Sequence, residues 1–134
     1  MKKIGLCLCC ILLLFLVNFE GCIEESGLTT SFTSLTAEQA YDLLNSGSNI
    51  TIIDCRSCKC HYTNSGHLPN AIHRNDVELE SLYNLTIDIL FYSSASDGES
   101  IEFCQQLINH TYGKLYNLEG GFEAWKEAGY DIEL

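Results

Sequence analysis

The residues best suited to chemistry in this chain are crowded into one short stretch, Cys55-x-x-Cys58-x-Cys60-His61. Three readings are open for thiols placed so closely. They can be structural, with Cys55 a small buried hydrophobe and Cys58 and Cys60 in a loop, disulfide-bonded if the compartment is oxidising. They can carry redox or sulfur-transfer chemistry, because Arg56, Lys59, His61 and His67 stand close in sequence and cations lower a thiol's pKa. They can also hold a metal through Cys58, Cys60 and His61. Zinc sites commonly combine two ligand pairs, however, so His67 or a second chain would have to complete that set. The structural reading ranks first, redox or sulfur carriage second and metal third. Cys104 is a fourth thiol, and four allow three full pairings.

The elements that must position these residues can be read from the spacing. Thr36-Ala-Glu-Gln39 is a capping box, after which Ala40, Leu43 and Leu44 recur at helical spacing and Gly47 stops the helix. Ile50 to Asp54 reads as a strand covered on both faces, and Ile87 to Tyr92 and Leu115 to Leu118 as two more. Residues 75–84 are expected to form a short helix on Val77, Leu79 and Leu82. Ser96-Asp-Gly-Glu99 is a second capping box, and Ile101, Cys104, Leu107 and Ile108 give the following helix a buried stripe that makes Cys104 core. Gly120-Gly121 opens a last helix carrying Phe122 and Trp125 and closed by Gly129. Alternation of this kind implies an α/β domain with a mainly parallel sheet and helices on both faces. Ligands of such sheets bind beyond the carboxyl ends of the strands, which directs attention to the loops after Asp54, Tyr92 and Leu118.

The N-terminus reads as an export signal. Met1-Lys2-Lys3 is a basic start, and the apolar run Ile4 to Val17 is short for a membrane span of ~20 residues. Gly21-Cys22 resembles the lipobox of prokaryotic lipoproteins, which makes Cys22 the expected lipid attachment; the alternative is an uncleaved anchor with Cys7, Cys9 and Cys10 as ordinary hydrophobes. Glu24 to Thr33 is polar, as a tether would be. The expected location is the extracytoplasmic face of the cell membrane. Residues 1–21 hold two of the seven basic and one of the eighteen acidic side chains, so the remainder carries a formal charge of −12. That balance excludes nucleic acid as a partner, disfavours small anions, and above all keeps an exported domain soluble. Asn49-Ile-Thr51, Asn84-Leu-Thr86 and Asn109-His-Thr111 are glycosylation tripeptides, short enough to arise by chance.

Two separated motifs carry a family resemblance. The strand ending Asp54-Cys55-Arg56, followed by Gly66-His67-Leu68-Pro69-Asn70-Ala71, resembles the rhodanese-like family's Asp-x-Arg and Gly-His-(Ile/Leu)-Pro-x-Ala. Leu118-Glu119-Gly120-Gly121-Phe122-Glu123-Ala124-Trp125 is similar to its Leu-x-Gly-Gly-x-x-x-Trp. The resemblance covers residues 32–134, leaving 1–21 as signal peptide or anchor and 22–31 as tether. Physical reasons assign most of these residues to the scaffold. Asp54 and Arg56 can pair across the strand end, Gly66 supplies a backbone geometry other residues resist, and Pro69 fixes a turn.

The resemblance places the family's active cysteine after the strand Ile87–Tyr92, in a loop that usually carries a basic residue. Here Ser93 stands at that position and Ser94, Ala95, Ser96, Asp97, Gly98 and Glu99 form the loop, with two carboxylates and no cation. Glu99 is expected to fold back onto the helix amides as a cap. A serine oxygen forms no persulfide, and no Gly-x-Ser-x-Gly elbow surrounds Ser93 to suggest a hydrolase. The expectation is therefore a membrane-tethered binding or regulatory module without a confident catalytic residue and without a cofactor. An unidentified protein is its expected partner. The alternative is a thiol redox or sulfur-carrier protein using Cys58 and Cys60.

Overall fold

The computed structural model describes residues 27–95 and 98–134. The expected signal segment, Cys22, Ser96 and Asp97 lie outside the described residues.

The elements run β1 (Phe32–Leu35), α1 (Ala37–Asn45), β2 (Ile50–Asp54), α2 (Lys59–Asn64), β3 (Ile72–His73), β4 (Asp88–Tyr92), α3 (Gly98–Leu107), β5 (Leu115–Leu118) and α4 (Gly121–Glu127). The five strands form one parallel sheet in the order β1-β5-β4-β2-β3. Period-two alternation along the central strands divides the core. Leu90 and Tyr92 of β4, with Ile52 of β2 and Leu118 of β5, pack against Ala40 of α1 and Phe122 and Trp125 of α4. Ile89 and Phe91, with Ile53 and Leu115, face the other way onto Cys104 and Leu107 of α3. Helices thus cover both faces, which is why the central strands read as continuous apolar runs.

Local chemistry starts α1 as expected. Thr36 Oγ1 accepts from the Gln39 amide and Gln39 Oε1 accepts from the Thr36 amide, so two end groups of the helix satisfy each other. Elsewhere the structure departs from the sequence reading. Residues 75–84 hold no α-helix; 3₁₀ turns at Arg74–Asp76 and Leu79–Leu82 replace it, and Leu82 alone of the three apolar positions is fully buried. One apolar anchor per turn is too little to stabilise a longer helix. The loop expected to hold Cys58 and Cys60 is also largely helical: Cys58 caps α2 and Cys60 lies within it. β1 is short and half-exposed and gives no apolar run to detect. Within the stretch read as tether, Thr29 is stitched to the domain through Thr111, Asn109 and Gly113.

Candidate functional site

The parallel sheet brings the carboxyl ends of β2 and β4 side by side, with Asp54 in register with Tyr92. A buried polar network grows from that pairing. Tyr92 Oη donates to Asp54 Oδ2 at 2.8 Å and accepts from the Leu68 amide at 3.3 Å. Arg56 forks onto the Asp54 carboxylate through Nε at 3.0 Å and Nη2 at 2.5 Å. Its Nη2 also donates to the Gly66 carbonyl at 2.7 Å, and its guanidinium lies 4.2 Å from the Phe122 ring centroid. Arg56 is 2% exposed and Asp54 not at all. Burial pulls the Arg56 pKa down, but the hydrogen bonds and charge of Asp54 outweigh it and the net direction is upward. Tyr92 is pushed far up by burial and then by the Asp54 carboxylate, so it stays a phenol and donates. The two motifs thus meet in one cluster: Asp54, Arg56 and Gly66 from the first, Phe122 from the second.

The Gly66-His67-Leu68-Pro69 turn is held from outside as well. Gly66 has φ +84°, and a Cβ there would come within 2.7 Å of the Glu133 carbonyl oxygen. The His67 and Glu133 backbones exchange both hydrogen bonds, and Glu133 Oε2 accepts from the Asn70 amide. His67 stacks on Tyr62 at 3.9 Å between centroids, and Tyr62 Oη donates to the Ala71 carbonyl. Neither Tyr62 nor Glu133 stands out in the sequence: Tyr62 acts on residues five and nine positions on, and Glu133 on a segment distant in the chain.

Ser93 follows β4 directly and is 1% exposed. Its carbonyl accepts from the Phe122 amide at 2.8 Å, which ties the loop to the start of α4. Gly121 makes that approach feasible. Its φ is +57°, and a Cβ would collide with the carbonyl oxygens of Ser93 and Ser94. Ser94 and Ala95 are exposed, as is Gly98 at the start of α3. Glu99 pairs with Arg74 at 3.8 Å; the cap expected of it involves Ser96 and Asp97, which lie outside the described residues. Arg74 in turn donates to the Cys55 carbonyl and lies over Phe103. The loop sequence has no cation, yet the fold supplies one from the segment after β3.

The four described cysteines separate into two kinds. Cys55 and Cys104 are free and buried. Burial, then the neighbouring Cys104 and Asp54, drives the Cys55 thiol far up, and burial pushes Cys104 up to about 12. Both are protonated core residues. Cys58 and Cys60 are exposed and disulfide-bonded to each other, with Cα atoms 5.1 Å apart. Of the four basic residues expected around them, three are engaged elsewhere, Arg56 on Asp54, Lys59 on Asp76 at 2.7 Å and His67 against Tyr62, while His61 is exposed. Among the described residues no three His, Cys, Asp or Glu side chains converge as a metal site, and Cys58, Cys60 and His61 are not so grouped. Asn49, Asn84 and Asn109 are all exposed, but Thr111 of the third tripeptide is buried and bonded to the Leu85 carbonyl.

A parallel five-stranded α/β domain with a buried Asp54–Arg56 pair at one strand end, whose arginine lies over Phe122 of the second motif, defines a class. The rhodanese-like domain model matches residues 36–128, and the chain belongs to that family. Solved structures agree with this. A protein from Anabaena sp. is 27% identical over 74% of this chain and 81% of its own, with a TM-score of 0.61. A thiosulfate sulfurtransferase from Pseudomonas aeruginosa is 23% identical over 76% of this chain and 20% of its own, at 0.60. A rhodanese-like domain protein from Staphylococcus aureus is 20% identical over 77% of this chain and all of its own, at 0.53.

Proposed function

We propose that this chain is an exported rhodanese-like domain, tethered to the outer face of the cell membrane, that does not transfer sulfur at position 93 and acts as a binding or regulatory module for a protein partner. Ser93 is the observation that carries this reading. It follows β4 directly, where the family resemblance puts the active cysteine, and it is almost wholly buried. A serine oxygen forms no persulfide, and a hydroxyl is far less acidic than a thiol of pKa ~8.5. Glu99, in the first turn of the next helix, pairs with Arg74, the cation that the segment after β3 brings to it. A formal charge of −12 outside the N-terminal segment repels thiosulfate-like donors further. The tether rests on the basic start, apolar run and Gly21-Cys22 of the sequence.

Thiosulfate and cyanide supplied to the purified full chain test this. The expected result is no thiocyanate above the protein-free rate. Turnover that survives replacement of Cys58 and Cys60 by serine would show that Ser93's loop still works, and would end the proposal. Labelled fatty acid incorporated into the wild-type chain and absent from Cys22→Ala is the expected sign of the tether.

A further inference from the structure

We infer that Cys58 and Cys60 form a redox-active disulfide that accepts electrons from a dithiol by thiol–disulfide exchange. Three observations carry this. Both residues are exposed, in contrast to the buried Cys55 and Cys104. The bond spans a single residue, Lys59, so it closes a very short loop and adds little to fold stability. The corner is also anchored without it. The His61 amide donates to the Cys58 carbonyl, Tyr62 stacks on His67 and bonds the Ala71 carbonyl, and Lys59 pairs with Asp76. An exposed disulfide whose surroundings hold their shape when it opens is of the labile, reactive kind.

The geometry also orders the two sulfurs. The Cys60 amide lies 3.2 Å from Cys58 Sγ and donates to it. That bond strengthens when Cys58 carries negative charge, which makes Cys58 the better leaving group. A thiolate of the incoming dithiol attacks Cys60 Sγ. The Cys58–Cys60 bond breaks, its electron pair goes to Cys58 Sγ, and a mixed disulfide joins Cys60 to the reductant. The reductant's second thiolate then attacks its own sulfur in that mixed disulfide and releases Cys60 as thiolate. The two protons lost by the dithiol end on Cys58 and Cys60. The protein gains two electrons and two protons, and the dithiol leaves as a disulfide.

The test uses the full chain equilibrated with graded ratios of reduced to oxidised dithiothreitol. Iodoacetamide traps the free thiols, Cys58 and Cys60 are read by peptide mass spectrometry, and Trp125 emission follows the fold. Labelling of both residues should rise together, reverse with oxidised dithiothreitol, and leave Trp125 emission unchanged. Labelling that appears only in denaturant overturns the inference, as does opening that shifts Trp125 emission to the unfolded value. Single variants test the order of the sulfurs. At neutral pH, Cys60→Ser, which keeps Cys58, should react with an aromatic disulfide at least ~3-fold faster than Cys58→Ser. Equal rates would remove Cys58 as the leaving group. Thiocyanate release reports on position 93 and alkylation on Cys58 and Cys60, so the two proposals fail separately.

Discussion

The end of β2 and the segment after it hold two polar constellations a few residues apart, and they differ in burial and in what holds them. Asp54 and Arg56 are sealed from solvent, bidentate, and joined to Tyr92, Gly66 and Phe122. Cys58, Lys59 and Cys60 are exposed, tied to one another by a disulfide and to the domain by a surface ion pair. The buried set organises; its charges have no route to a ligand. The exposed set is accessible and costs the fold little to rearrange. Burial, more than residue type, separates scaffold from chemistry here, since an arginine and a carboxylate would ordinarily suggest a site.

The contrast breaks most visibly at Arg56. Arg56→Ala leaves the Asp54 carboxylate buried with only the Tyr92 hydroxyl and the residue 56 amide as donors. Removing one partner of a buried pair costs ~3–5 kcal/mol. Urea denaturation should show a loss of that order with an unchanged slope, and a loss below about 1 kcal/mol would mean that solvent reaches the pair. Gly121→Ala comes next. It forces a side chain into the left-handed region and against the Ser93 and Ser94 carbonyls, with an expected loss of ~1–3 kcal/mol. Gly98→Ala, where an added Cβ meets nothing within 4 Å, is the control and should change stability by no more than ~0.5 kcal/mol.

The buried thiols sharpen the same contrast through pH. Cys104 is held as a neutral thiol in the folded state, with its pKa raised to about 12 by burial. Its unfolded value is ~8.5. The folded state therefore binds the proton more tightly, its stabilisation is complete below pH ~8.5, and it is lost as pH climbs from there towards 12. Each pH unit in that window removes ~1.4 kcal/mol per buried thiol. The urea midpoint of wild type should fall between pH 8.5 and 10.5, and Cys104→Ala, less stable at neutral pH, should fall less steeply. Parallel curves for the two proteins would show that Cys104 does not titrate on unfolding.

Much of this was legible in the chain. The capping box at Thr36, the runs Ile50–Asp54 and Leu115–Leu118, and the stripe of Cys104 and Leu107 are local patterns, and local patterns survive folding when tertiary packing agrees with them. The Asp54–Arg56 pairing was legible because the two residues are neighbours at a strand end. What could not be read arises from long-range contacts. Glu133 clamps Gly66 and Asn70 from the far end of the chain, and Arg74 meets Glu99 across the sheet edge. Neither has periodicity or spacing to reveal it. The helix at Lys59–Asn64 was hidden for a related reason: Cys, His, Tyr and Thr are indifferent helix formers, and Tyr62 stabilises that turn through its contacts with His67 and Ala71.

The smallest effect completes the comparison. Lys59 and Asp76 form the shortest surface ion pair among the described residues, at 2.7 Å, yet each side chain is nearly half exposed. Solvent and salt screen such a pair, and holding two flexible side chains together opposes the gain. Lys59→Ala should therefore lower stability by ~0–1 kcal/mol, an amount that shrinks further in 1 M salt. The same substitution places alanine between the two disulfide cysteines and leaves the Cys60 amide and both sulfurs in place. Its dithiol reactivity should stay within ~3-fold of wild type, because the leaving-group preference rests on the backbone hydrogen bond to Cys58. A loss of stability approaching that of Arg56→Ala would erase the distinction between the two constellations. A collapse of dithiol reactivity would move the source of Cys58's acidity from the amide to the lysine.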